Sequence, residues 1–363
     1  MPPPPSDRAA ALQAALERRL PVLAGGATRV GRPVLLAGGA SQEAWAVDVE
    51  VAGGPLAGRH ALVLRRDLGG ALSSAVLPRR QEFVVLTAMH RAGLPVPRPY
   101  WFIPDLGGDG RAAFLMARVE GETIGRRIVQ DARLAAARAR LPDQMGAVLA
   151  AIHRVDPAAH GLDFLAAPAP GQPAALARLD QLAADLRAID EPHPALELGL
   201  RWLRAHAPPP GPLVVVHGDF RVGNLAVGPE GLRAVLDWEN VHLSDPHADL
   251  GWACLRAWRF GQDHLPAGGV GERAAFFAAY EHASGRRVDP ALAAYWEILG
   301  NCQWAIGALG QARRHLSGRE PNVEFAALGR VAAEMELELL DLIEQWEAGR
   351  LPAPADAGRR DAG

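Results

Sequence analysis

The sequence predicts an α+β fold in two lobes, a small antiparallel sheet with one helix followed by a larger, mainly helical lobe. Three observations predict it. Strand-length apolar runs crowd residues 34–119 and are interrupted by one helical stretch. From residue 142 onward, most apolar residues recur at steps of three and four. Among those helical stretches stands one group of short apolar runs, at 213–216, 225–227 and 232–236.

Residues 1–6 are Pro-rich and expected to be loose. Ser6 is placed to cap a helix over 7–20, where Leu12, Ala15, Leu16 and Arg19 keep helical spacing. Strand-like runs follow at 34–38, 44–51 and 60–66. Residues 78–91 read as a helix closed by Gly93 and Pro95. Two more strand-like runs, 97–103 and 113–119, precede Glu120 and Gly121, which puts a linker near 117–121. In the second lobe, helices are expected at 142–153, 176–186, 194–205, 245–259, 271–284, 290–314 and 323–346. The expected organisation is a tail and helix (1–33), a small lobe (34–118), a large lobe (119–350) and a disordered end (351–363) rich in Ala, Pro, Gly and charge.

The 363 residues are 49% hydrophobic and 22% charged, the balance of a soluble globular protein. A net charge of −3 gives no general attraction to nucleic acid or anionic membranes. No run approaches the roughly 18 apolar residues of a membrane helix. The start, MPPPPSDR, lacks the basic-then-apolar order of a secretory signal. Cys254 and Cys302 suggest core thiols of a cytoplasmic protein, not a disulfide framework. All 38 basic residues are arginine. A phosphate-binding cation must therefore be Arg, and a lysine Schiff base is excluded. The 12 histidines show no zinc-ligand spacing.

The most informative stretch is VVVHGDFRVGNLAV, followed by LRAVLDWEN. His217, Asp219 and Asn224 stand as H-x-D-x-x-x-x-N, and Asp237 ends the next apolar run. That is the arrangement of a kinase: one carboxylate for the acceptor hydroxyl, then an amide and a second carboxylate for Mg²⁺. Each residue alone is an ordinary turn former or cap. The short loop between Asp219 and Asn224 can aim one side chain at the acceptor and the other at the metal. Arg221 reads as a cation for the transferring phosphoryl group or as a solvent-facing loop residue. His217 reads as loop support. Asp249, in DPHADLGW, reads as a brace for the loop or a helix cap. Glu239 reads as a contact to a second metal or the acceptor, or as a surface residue.

A nucleotide would need its own cradle. Gly38, Gly39 and Ser41 lie between two strand-like runs, where backbone N–H groups could approach phosphate; a plain hairpin is the alternative. Strand alternation over 61–65 puts Val63 and Arg65 on one face and Leu62 and Leu64 on the other. Val63 would cover the adenine and Arg65 reach the phosphates, with Glu82 as its acidic partner and Arg66 as the alternative cation. Met116 belongs to the expected hinge.

HGDFRVGNL, VLDWENVHLSDPHADLGW and GGASQEAW resemble the aminoglycoside phosphotransferase-like family of small-molecule kinases, the phosphotransferase enzyme family. The chain looks most like a branch similar to the kinase-like domain fused to some acyl-CoA dehydrogenases. The resemblance implies a two-lobed protein-kinase-like fold, ATP and Mg²⁺ as cofactors, and a small-molecule hydroxyl as acceptor. In that frame Asp219 is the base, Arg221 assists it, and Asn224 and Asp237 hold metal. It also makes a hydroxy acid or its thioester a plausible acceptor. The Gly-Gly loop is shorter than the protein-kinase form, and Arg65 stands where most kinases place lysine.

On 290–314, Trp296, Leu299, Gly300, Gln303, Trp304, Gly307 and Gly310 form a helical stripe in which Gln303 is the polar exception. Gln303 and Trp304 are candidate acceptor contacts. Arg313, Arg314 and His315 end the helix, either complementing its dipole or clamping an anion. The expected activity is phosphorylation of a small-molecule hydroxyl. The alternatives are a nucleotide-binding pseudokinase or scaffold without turnover, and a kinase of aminoglycosides, amino alcohols or sugars. No nucleic-acid or membrane partner is expected. The acceptor, ATP against GTP, and the oligomeric state stay open.

Overall fold

Alternation and helical spacing become two packed lobes in the computed structural model, which describes residues 5–36, 43–67, 76–318 and 322–351. Helix α1 (Pro5–Ala24) buries Leu12, Leu16 and Leu20 against a sheet. It begins before Ser6, so Ser6 lies inside it, and it continues to Ala24 through Pro21. The sheet contains β1 (Ala27–Val30), β2 (Val34–Leu35), β3 (Glu43–Ala52), β4 (Gly58–Arg66), β5 (Pro99–Ile103) and β6 (Ala113–Ala117). Its order is β1-β3-β4-β6-β5, with β2 also paired to β3, and each pairing is antiparallel. Leu62 and Leu64 join the α1 core with Trp45, Val47 and Val49. Val63 and Arg65 therefore take the other face, as alternation requires. That second face carries α2 (Arg79–Arg91), which packs Val85, Leu86 and Met89 into a core with Phe114.

β1 is a strand the apolar pattern does not mark, because only Val30 of its four residues is buried. β2 is shorter than expected. Gly38, Gly39 and Ser41 lie outside the described residues, as does the expected disordered end beyond Leu351.

The second lobe opens with two helices too short for a periodicity window, α3 (Gly125–Gln130) and α4 (Ala135–Arg138). Then come α5 (Leu141–His153), α6 (Ala174–Ile189) and α7 (Pro194–Ala205). Two antiparallel ribbons follow, β7 (Val214–Val216) with β10 (His242–Ser244), and β8 (Leu225–Gly228) with β9 (Gly231–Val235). The last helices are α8 (His247–Ala253), α9 (Arg273–Ser284), α10 (Pro290–Leu316) and α11 (Val323–Glu347). One core runs from α2 through α5 and the ribbons to α9; another joins α6, α7, α10 and α11. Fully burying each Leu or Phe in such cores is worth about 1.5–3 kcal/mol. Among the described residues, no helix is long and apolar enough to cross a membrane.

The single helix expected over 245–259 is broken. α8 stops at Ala253, Leu255 is extended, and a 3₁₀ turn follows at Arg256–Trp258. The break brings Trp252 and Trp258 together, with ring centroids 5.5 Å apart.

Candidate active site

The central loop is fastened at its backbone. β7 is wholly buried and pairs Val216 with His242 of β10, so the chain leaves the ribbon at His217 in a fixed place. Gly218 follows at φ +77°, and a Cβ there would lie 2.3 Å from the Asn240 carbonyl oxygen. Only glycine fits that approach. Asp249 on α8 accepts hydrogen bonds from the backbone N–H groups of His217 (2.7 Å) and Gly218 (2.9 Å). Its carboxylate also meets His153 Nε2 at 3.2 Å, and His153 Nδ1 meets the Tyr280 hydroxyl at 2.8 Å. Burial pushes the Asp249 carboxyl up, but the His153 hydrogen bond and the charges and N–H groups around it outweigh this and hold it below the usual range. Asp249 is thus a brace for the loop.

His217 links the loop to the chain before Asp237. Its Nε2 donates to the Leu236 carbonyl at 2.9 Å, and its Nδ1 accepts from the Asp219 N–H at 3.2 Å. The ring rests on Trp238, centroids 4.7 Å apart.

Asp219 is held on both carboxylate oxygens. Oδ1 accepts from Arg221 Nε (3.0 Å) and Trp252 Nε1 (2.8 Å). Oδ2 accepts from Asn224 Nδ2 (2.7 Å), which also donates to the Asp219 carbonyl (2.9 Å). The Asn224 amide nitrogen is therefore committed to Asp219, which leaves its oxygen for a cation. Arg221 lies with its guanidinium 4.7 Å from the Trp258 ring centre, so it is not the solvent-facing loop residue of the alternative reading.

Asp237 adopts φ +65°, in the left-handed region where a residue with a Cβ is strained by about 1–3 kcal/mol. The neighbouring Leu236 N–H holds the Asn224 carbonyl at 2.8 Å, tying the strand end to the loop. Arg65 donates to Asp237 Oδ1 at 2.7 Å and lies 3.3 Å from Glu82 and 3.5 Å from Glu239. Burial opposes the Arg65 charge, but Asp237, then Glu82 and Glu239, outweigh it and raise the guanidinium further above its ordinary range. Arg79 pairs with Glu82 from the other side and reaches Asp67 at 3.0 Å. Glu239 is 6% exposed, which ends its surface reading. Burial, with the Asp237 charge beside it, pushes its carboxyl up to about 8. Arg66 instead pairs with Asp109 at 2.5 Å. Val63 stands opposite Met116 across β4 and β6, two residues before Arg65 on the same face.

The far wall is aromatic. Trp304 of α10 packs on Trp258 with centroids 5.1 Å apart, and Trp258 on Trp252. Gln303 accepts from Arg178 Nε of α6 at 2.9 Å. Trp296 belongs to the helical core. Arg313 and Arg314 do not come to Gln303. Arg314 lies eleven residues further along α10 (303 to 314), about 16 Å at 1.5 Å per residue. There it donates to Gln311 and covers Phe325 of α11. Arg313 is exposed. Glu239 stands with Arg65, not with α10.

Sequence reasoning missed Arg79, His153, Arg178 and Trp252 as site residues. Arg79 was findable, one helical turn before Glu82. Trp252 sits one turn after Asp249 in a quoted motif. His153 and Arg178 meet partners 96 and 125 positions away, and nothing local announces them.

Among the described residues, no group of three or more His, Cys, Asp or Glu side chains is arranged for a metal. Asn224 and Asp237 offer one amide oxygen and one carboxylate. That sparse oxygen set suits a hard cation completed by phosphate and water.

The profile of the phosphotransferase enzyme family matches residues 34–295, from β2 through the loop and Asp237 into α10. The chain belongs to this family. Its curated relatives include mouse acyl-CoA dehydrogenase family member 10, 33% identical over 202 residues, and chicken acyl-CoA dehydrogenase family member 11, 31% identical over 205. These matches cover 53% and 54% of this phosphotransferase-family chain but only 18% and 25% of those longer proteins. A crystal structure described as an aminoglycoside phosphotransferase from Ralstonia eutropha superposes with TM-score 0.70 at 23% identity, covering 93% of this chain and 98% of that one. A choline/ethanolamine kinase family protein from Mesorhizobium loti gives 0.58 at 19%, covering 95% and 97%. A spectinomycin phosphotransferase bound to ADP and spectinomycin gives 0.58 at 14%, covering 90% and 98%. The fold is the protein-kinase-like phosphotransferase fold, and family membership supports phosphotransferase activity.

Proposed function

We propose that this chain transfers the γ-phosphoryl group of ATP to a hydroxyl of a small molecule, with Asp219 as the acceptor base. The observation that carries the reading is the Asp219 carboxylate, held on both oxygens by Arg221, Trp252 and Asn224. A base so fixed orients the hydroxyl and takes its proton late in a loose transfer. Arg221, beside it, offers positive charge to the moving phosphoryl group. Arg65, positioned by Glu82, reaches the nucleotide phosphates, while Val63 and Met116 border the adenine. Asn224 and Asp237 would hold Mg²⁺, which supplies charge neutralisation on the phosphate oxygens when bound. Asp249 and His217 keep the loop in register.

The names of the curated relatives point to acyl-CoA chemistry, which supports a hydroxy acid or its thioester as acceptor. The fold neighbours' aminoglycoside and amino-alcohol acceptors are the competing arms. One observation favours the non-catalytic reading: Arg65 lies directly on Asp237 and competes with a metal there. Nucleotide turnover by wild type and Asp219→Asn, with Mg²⁺ and a panel of hydroxy acids, thioesters, sugars, amino alcohols and aminoglycosides, separates them. Acceptor-dependent ADP release lost in the variant supports the kinase. Nucleotide binding by both without turnover supports the pseudokinase.

A further inference from the structure

Arg65, Arg66 and Arg79 each face a carboxylate on the nucleotide side of the site, whereas Arg178, on α6, does not. Arg178 leaves α6 in the second core and is half-buried. Its Nε donates to the neutral amide of Gln303, and among the described residues no carboxylate lies within ion-pair distance of it. Burial lowers the guanidinium's pKa below its ordinary value, and Asp185 offsets this only in part. Neutral hydrogen bonding is poor compensation for a half-buried cation. Such a charge is one that an anionic ligand would satisfy.

Its partner Gln303 lies on the helix that carries the aromatic wall of the proposed acceptor side. Gln303 adjoins Trp304, which packs on Trp258, which carries Arg221, which bonds Asp219. His242 stands across from Val216, at the mouth of the loop that holds Asp219. Burial lowers its imidazole's pKa, the hydrogen bond with the Asn240 carbonyl opposes this, and the Arg178 charge lowers it further.

We infer that Arg178, oriented by Gln303, is the anchor for an anionic end of the acceptor, a carboxylate or phosphate borne on the same molecule as the reacting hydroxyl. The inference rests on the phosphotransfer reading above and names the specificity residue of that site. The planar guanidinium has both terminal nitrogens available for a bidentate grip once Nε is tied to Gln303. Gln303 sets the plane without neutralising the charge. A glutamate there would close the pair internally.

The test is a titration followed by tryptophan fluorescence, with Mg²⁺ and a non-hydrolysable ATP analogue present. The ligands are two- to six-carbon hydroxyalkanoates, the matching hydroxyamides, and glycerol phosphate. Wild type is expected to bind one anionic class about 10–100-fold more tightly than the amides, the range of a charged hydrogen-bonded pair. The carboxylate and phosphate arms tell which. Arg178→Gln should bring the ratio to about one, and Gln303→Glu should do the same with the arginine still present, both variants binding the nucleotide analogue as wild type does. The inference is overturned if wild type shows no preference for any anion, or if Arg178→Gln keeps the preference. If an uncharged or cationic acceptor is phosphorylated with unchanged kcat/KM in Arg178→Gln, the anchor fails while the kinase stands. If the anions bind through Arg178 but no phosphorylated product forms, the kinase reading fails while the anchor stands.

Discussion

The two sides of the cleft treat charge in opposite ways. On the nucleotide side, Arg65 and Arg79 interleave with Glu82, Asp237, Glu239 and Asp67, each cation touching at least two acids. On the acceptor side, Arg178 rests on one neutral amide and Arg221 divides itself between Asp219 and a tryptophan face. On the proposed function, the first arrangement would serve a ligand that is always the same, its counter-charges supplied by the fold. The second leaves a cation for the ligand to answer, and that is where members of one fold can differ in what they phosphorylate.

Five substitutions break or sharpen this contrast. Asp219→Asn should cost about 10²–10⁴-fold in acceptor-dependent ADP release, the usual contribution of a general base, with thermal stability and nucleotide binding near wild type. Arg65→Gln strips one cation from three acids. It should destabilise the protein by about 3–5 kcal/mol in urea unfolding, whereas Arg178→Gln, which strands no carboxylate, should cost under about 1 kcal/mol. Equal losses for the two would erase the distinction between the sides.

Asp249→Ala orphans the N–H groups of His217 and Gly218 and should cost about 2–4 kcal/mol. Its pH dependence has a definite sign. The folded carboxyl titrates below its ordinary value, so its contribution is complete above about pH 4, the unfolded value, and is lost as pH falls through the folded one. The stability gap between wild type and variant should stay level from pH 7 to 5 and close in stronger acid. Smallest is Trp252→Phe, which keeps the ring packing but removes the N–H on Asp219. About 10-fold in kcat, with little change in unfolding, is the expected loss for one hydrogen bond to a charged group.

Much of this site is local enough to be legible in sequence. Asp219, Asn224 and Asp237 lie within a ribbon and its loop, so spacing alone puts them in reach of one another. Arg65 was legible through strand alternation, and Glu82 as its partner, because a strand and a helix each have one period. The left-handed turn at Asp237 was not, since only Gly normally announces positive φ. Nor was the break after Ala253, where helical spacing continues on paper but Leu255 turns extended and gives Trp258 to the aromatic wall. The terminal Arg313 and Arg314 looked like an anion clamp because charge at a helix end has two readings. The structure puts Arg314 on Phe325, while the arginine held by a neutral amide and no carboxylate sits near the start of α6.

Arg65 has one consequence for how such a protein is found at all. Reagents that survey kinases by acylating an amine beside the nucleotide need a lysine, and this chain has none. A guanidinium this strongly held by carboxylates is a poor nucleophile at any physiological pH. An inventory of nucleotide sites made by amine capture would pass over this one in silence, and enzymatic acetylation of lysine side chains has nothing here to modify. On the proposed function, the arginine that would meet phosphate also conceals the site from amine-directed chemistry.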